Sequence, residues 1–314
     1  MSKTRHLVDP ELLPLLDAFP TVTITKENLA ELRSRELPLP PLEDCGVEWE
    51  ERSLDGPDTL VTVRIYRPRG ATEPLGCIFH IHGGGYVGGS VAEVEFLHSP
   101  LAADLNCAIV SVDYRLAPET SFPGNVEDCY AALAWTFSNA EELGIDLTRI
   151  GLMGESAGGG LAAALALLAR ERGEYPLAFQ HLIYPMLDDR TCVAEPNPFA
   201  GEFIWHADNN RFGWAALLGE EPGGQGVSPF ASPARAPDLS GLPPTFMGTA
   251  ALDLFVDENI EYARRLIRAG VPTELHVWPG AFHGFDLMPG PAIADAARTS
   301  SRDALRRALK PKAI

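Results

Sequence analysis

The feature that most constrains this chain is a rhythm: short runs of apolar residues separated by stretches with helical periodicity. The runs at 77–82 and 108–113 are nearly continuous in apolar residues, as strands buried on both faces require. Further runs lie at 150–154, 179–184, 245–249 and 273–278, and two earlier ones, 47–54 and 61–67, alternate with period two. Between them come helical patterns. Residues 159–172 are rich in small side chains, and in 258–269 the spacing of Ile260, Ala263 and Ile267 predicts one apolar stripe, stopped by Gly270 and Pro272. A closing amphipathic helix is expected over 293–309. Strands alternating with helices in this way imply an α/β fold with a mostly parallel sheet.

Two regions break the rhythm. Residues 1–45 are helix-like and end in the stiff connector Leu37-Pro38-Leu39-Pro40-Pro41. Residues 187–232 are rich in Gly, Pro and aromatic side chains and interrupt the strands late in the chain. The expected partition is a core in two parts, 46–186 and 233–314, under a cap in two parts, 1–45 and 187–232; plain surface decoration is the competing reading.

Composition narrows the partners. With 25 Lys and Arg against 43 Asp and Glu, the formal charge is −18. Such a surface repels nucleic acid and anionic lipid headgroups, so neither is expected as a partner. Five dispersed cysteines, with no CxxC pair, predict neither a disulfide framework nor a metal site. The first 17 residues form no signal-peptide core, and the most apolar stretch, 161–169, is too short to span a bilayer. The expectation is a cytoplasmic protein.

Chemistry enters with Gly154-Glu155-Ser156-Ala157-Gly158. A G-x-S-x-G string alone is weak, but here an apolar strand precedes it and a small-residue helix follows, the setting a nucleophile elbow needs. The competing reading is a glycine-rich helix start with an N-capping serine. A serine hydroxyl requires a base, and the base requires an orienting acid. Of eight histidines, His80 falls inside a buried strand and reads as a core residue, whereas His6, His98, His181, His206 and His276 lack a turn setting. His283 lies in Pro279-Gly280-Ala281-Phe282-His283-Gly284-Phe285, a loop just beyond a strand, where sites form in open α/β sheets. Asp253 is the favoured acid, with Asp257 as runner-up; Asp257 and Glu258 read as acidic residues at a helix N-terminus. Ser156, Asp253 and His283 then follow the α/β-hydrolase order. His82-Gly83-Gly84-Gly85 supplies bare backbone N–H groups, and Gly83, Gly84 and Ala157 are the candidate oxyanion donors.

These motifs together resemble the hormonesensitive-lipase-like family of α/β-hydrolases, which holds many bacterial carboxylesterases. The matching stretches are His82-Gly83-Gly84-Gly85-Tyr86, Tyr114-Arg115-Leu116-Ala117-Pro118-Glu119, Gly154-Glu155-Ser156-Ala157-Gly158-Gly159 and His283-Gly284-Phe285. The resemblance implies an eight-stranded, mostly parallel sheet flanked by helices with a helical cap, a catalytic triad of Ser156, Asp253 and His283, and an oxyanion hole from Gly83, Gly84 and Ala157. It implies no cofactor and no metal. There are two departures. Glu155 stands where the family usually has Asp or Thr, and Asp253-Leu254-Phe255 replaces the usual Asp-Pro-Leu, so that Leu254 and Phe255 are expected to narrow the pocket. Phe203, Trp205 and Trp214 read either as pocket lining or as packing within the cap. The function implied is hydrolysis of short- to medium-chain carboxylic esters through a serine acyl-enzyme. An amidase or formamidase with the same triad is the alternative, and a non-catalytic ligand-binding member is a more distant one. A homodimer paired through the edge strand at 273–278 is a further expectation by analogy.

Overall fold

A computed structural model describes residues 2–19, 21–35, 44–287 and 289–311; the connector at 37–41 lies outside them. Eight strands form one sheet: β1 (Val47–Asp55), β2 (Leu60–Pro68), β3 (Leu75–Ile81), β4 (Ala108–Asp113), β5 (Ile145–Glu155), β6 (Gln180–Ile183), β7 (Thr245–Ala250) and β8 (Thr273–Trp278). Their spatial order is β1-β2-β4-β3-β5-β6-β7-β8. The pairs β1–β2 and β2–β4 are antiparallel, and all later pairs are parallel. Every expected strand is present, and the central β3 and β4 are buried on both faces, which requires their nearly continuous apolar runs.

The longer helices are α1 (Leu13–Ala18), α2 (Leu29–Ser34), α3 (Glu95–Leu105), α4 (Gly124–Ser138), α5 (Ala157–Arg172), α6 (Ala207–Leu218), α7 (Val256–Arg268) and α8 (Ala292–Ala308). Alternate side chains of the central strands serve opposite faces. Cys77, Phe79 and Ile81 join the cluster with α4, α5 and α7, whereas Ile78 and Ile109 join Leu101 and Ala102 of α3 and Leu305 of α8. In α5 every residue from Ala157 to Ala169 is buried; its glycines and alanines let the helix axis approach the sheet closely.

The face of α7 corrects the sequence reading. Ile260 and Ile267 are exposed, and only Ala263 of the expected stripe is buried. The helix instead buries Val256, Asn259, Tyr262, Ala263 and Leu266, and with them Glu258. Hydropathy alone misplaced the stripe because the buried face contains a carboxylate with fixed partners. Glu258 accepts backbone N–H bonds from Leu187 (2.6 Å) and Asp188 (3.2 Å) and the hydroxyl of Thr191. Burial pushes its pKa well above the usual carboxyl range.

The two irregular segments meet. Val8, Leu12 and Leu16 pack with Phe203 and with Phe282, Phe285, Ala294 and Ala297. Asn209 of α6 accepts the backbone N–H of Ile24 (2.8 Å) and donates to the carbonyl of Val22 (2.9 Å). Among the described residues, no helix is long and apolar enough to cross a membrane.

Candidate active site

The sequence-predicted residues come together beyond the C-terminal ends of β3, β5, β7 and β8. At the end of β5 the chain turns abruptly into α5, and Ser156 sits at φ +56°, a conformation that non-glycine residues adopt only under local constraint. The flanking glycines are sterically required. A Cβ on Gly154 would lie 2.3 Å from the carbonyl oxygen of Gly158, and one on Gly158 would lie 2.0 Å from that of Ile81.

The hydroxyl of Ser156 donates to Nε2 of His283 at 2.9 Å, and Nδ1–H of His283 donates to Oδ2 of Asp253 at 2.7 Å. Because a carboxylate accepts at Nδ1, the tautomer leaves Nε2 free to accept. All three side chains are buried. Backbone bonds fix the two contributing loops to one another: the N–H of Ala251 donates to Trp278 and that of Leu252 to Ala281, both at 2.9 Å. Asp257, the rival acid, is instead bonded to Asn197 (3.1 Å).

The glycine loop after β3 lies against the elbow. A Cβ on Gly83 would come within 3.0 Å of the Glu155 carbonyl oxygen, and one on Gly84, at φ +116°, within 2.1 Å of that of Gly88. Among the described residues, no acceptor takes the N–H of Gly83, Gly84 or Ala157. His82 holds this loop. Its Nδ1–H donates to the carbonyl of Gly83 (2.8 Å), the same peptide unit whose N–H belongs to Gly84. Tyr114 stacks on the His82 ring (4.3 Å) and donates its hydroxyl to the His82 carbonyl (3.0 Å).

Three features escaped the sequence reading. Tyr184, just past β6 at φ +34°, tilts over the His283 ring at 4.7 Å and donates its hydroxyl to Asp286 (2.8 Å). Burial raises the Asp286 pKa. Only the nearness of Asp286 to His283 in sequence hinted at this pair. The carboxyl of Glu155 meets Nε2 of His80 at 2.8 Å, and Nδ1 of His80 meets Ser111 at 3.0 Å. Burial pushes Glu155 up to about 7, opposed in part by His98 and His82, and pushes His80 down to about 3. Burial thus disfavours the charged form of both partners in this contact. The contact is the local bonding behind the elbow that the unusual Glu155 left open. The third feature is Glu258 with its clasp on residues 187–191.

A cavity of about 410 Å³ opens in front of Ser156 and His283. Its walls are mainly apolar and include Leu15 and Phe19 from the N-terminal segment and Ile204 and Trp205 from the late insertion. Of the three expected aromatics, Trp205 lines it. Phe203 packs on Phe282, and Trp214 is wholly buried against Tyr86. Phe255 does not narrow the cavity as expected. It is fully buried and meets the His283 ring edge-on at 5.4 Å, while Leu254 packs under Gly201. Among the described residues, no group of three or more His, Cys, Asp or Glu side chains is placed to hold a metal ion.

Residues 78–287 match the family model described as the alpha/beta hydrolase fold. The chain belongs to the α/β-hydrolase family, in its hormone-sensitive-lipase-like branch. It is 38% identical to a Mycobacterium tuberculosis protein named carboxylesterase NlhH, with 96% of each chain covered. Among solved structures, one titled bacterial heroin esterase aligns with a TM-score of 0.90 at 39% identity, covering 98% of this chain and all of the other. A hyperthermophilic esterase from the archaeon Pyrobaculum calidifontis aligns with a TM-score of 0.81 at 30% identity, covering 96% and 98%.

Proposed function

We propose that this protein is a carboxylesterase that hydrolyses small carboxylic esters through a serine acyl-enzyme. The observation that carries the reading is the unbroken hydrogen-bond chain from Ser156 through His283 to Asp253 at the floor of an apolar cavity. Relatives named as esterases over nearly the full chain support it. In this reading His283 takes the Ser156 proton as the oxygen attacks the ester carbonyl, forming a tetrahedral oxyanion. The N–H groups of Gly83, Gly84 and Ala157 hold that oxyanion. His283 then gives its proton to the leaving alcohol, and water repeats the sequence to release the acid. Asp253 keeps the imidazole in the required tautomer and stabilises its charged form. Residues 1–45 and 187–232 act as the cap whose aromatic and aliphatic side chains set the length of acyl chain admitted.

The test is hydrolysis of p-nitrophenyl esters from acetate to palmitate by the wild type and by Ser156→Ala. Turnover concentrated at short and medium chains, and lost in the variant, supports the reading. A folded wild type that cleaves none of them overturns it and favours an amide substrate, since the same triad serves both. Placement in the cytoplasm and pairing of two copies through the edge strand β8 belong to the same proposal; a monomeric mass in solution would remove the second.

A further inference from the structure

Resting on the esterase reading above, we infer that the pocket selects esters that carry a hydrophobic cation, such as a quaternary or protonated amine, over neutral and anionic esters of the same shape. The charged side chains in the wall carry the inference. Among the described residues that line the cavity, Glu93 and Glu155 are the acidic ones, and no Lys or Arg is among them. Glu93 stands on the segment leading into α3, half-buried, and no Lys or Arg pairs with it among the described residues. Burial raises its pKa, the like charge of Asp113 adds to that, and a hydrogen bond from Ser90 opposes it in part. A partly buried anion without a counter-ion is penalised, and a cation seated beside it relieves the penalty. An anionic group there adds to it.

The remaining wall suits a cation with apolar flanks. Phe19, Phe96, Tyr184 and Trp205 present rings to the cavity, and ring faces attract ammonium groups that are too bulky to be strongly hydrated. The whole chain, at −18, adds a long-range field of the same sign. Glu155 contributes less than Glu93, because its carboxyl is engaged with His80.

The test compares esters matched in shape and differing in charge. In the alcohol half, acetylcholine is set against 3,3-dimethylbutyl acetate and 2-sulfoethyl acetate. In the acyl half, ethyl 4-(trimethylammonio)butanoate is set against ethyl 5,5-dimethylhexanoate. For the half that faces Glu93, kcat/KM is expected to favour the cation by about tenfold, the scale of one charge contact with ring support. The cation-to-neutral ratio is expected to fall severalfold in Glu93→Gln. Neutral esters cleaved with no preference for the cation in either half overturn the inference alone. A preference that survives Glu93→Gln unchanged also overturns it. Failure to cleave any ester, neutral ones included, overturns the esterase reading and this inference with it.

Discussion

The elbow and the segments that cover it are held in place by different physics. Around Ser156 the constraints come from backbone against backbone: a Cβ at Gly154, Gly158 or Gly84 would overlap a carbonyl oxygen at 2.0–2.3 Å. The covering segments are held by side chains, as where Val8, Leu12 and Leu16 pack on Phe203 and Phe282. Backbone cannot repack around an added methyl group, whereas side chains can shift rotamers. The elbow should therefore tolerate almost no change, and the cover should change its selectivity before its stability.

The largest expected effect is chemical. Ser156→Ala should lower kcat/KM for a p-nitrophenyl ester by roughly 10⁴-fold or more while leaving the thermal unfolding midpoint nearly unchanged. Next comes the steric limit. Gly158→Ala should cost about 4 kcal/mol or more, because the new methyl meets the Ile81 carbonyl and neither backbone can yield. Chemical denaturation reads this directly, and a loss below about 1 kcal/mol would mean that the elbow backbone can yield after all.

Between the two regions lies the Tyr184–Asp286 bond. Tyr184→Phe strips a half-buried, raised-pKa carboxyl of its hydroxyl partner, at a cost of about 1–3 kcal/mol. Because the ring still covers His283, kcat should fall by less than about tenfold, since only the orienting bond is lost and not the acid–base pair itself. A thousandfold loss of kcat with KM unchanged would assign Tyr184 a direct part in the chemistry.

Glu155 gives a test by pH. Its folded pKa, about 7, lies above the ordinary carboxyl value of 4.5. The folded state thus holds the proton more tightly than the unfolded chain. The associated stability is present in full below pH 4.5 and is lost as pH rises through about 7. In Glu155→Gln the decline of stability across that window should flatten, as measured by denaturation at several pH values; an unchanged slope would mean that the group does not titrate there.

The smallest effect belongs to the cover. Phe19 lines the cavity yet remains 39% exposed. Phe19→Ala should change stability by less than about 1 kcal/mol, as expected for a side chain this exposed. The KM ratio between long and short acyl esters should nevertheless shift.

The same contrast explains what the sequence could show. Parallel strands buried on both faces, such as 77–82 and 108–113, leave a continuous apolar run, so each strand was legible. The glycines at 83, 84, 154 and 158 were legible because backbone crowding admits nothing larger. His283 and Asp253 could be picked out from their loop settings beyond strand ends. What could not be read were partnerships between distant polar groups. Glu258 looks like an exposed acid at a helix start until residues 187–191 fold over it, and its burial turns α7 away from the expected Ile260 and Ile267 stripe. Asp286 gains its partner only when β6 brings Tyr184 beside it. Trp205 and Trp214 are alike in the sequence, and tertiary packing alone sends one to the cavity and the other into the core.

The central claim, nucleophilic attack by Ser156 through His283, is tested most directly by trapping the acyl-enzyme. Excess p-nitrophenyl butyrate would be mixed with enzyme, quenched in acid within milliseconds, and analysed by intact mass and peptide mapping. The expected result is a single butyryl group on Ser156, absent in Ser156→Ala and greatly slowed in His283→Ala. Undiminished hydrolysis by Ser156→Ala, or an acyl group found on another residue, would contradict it.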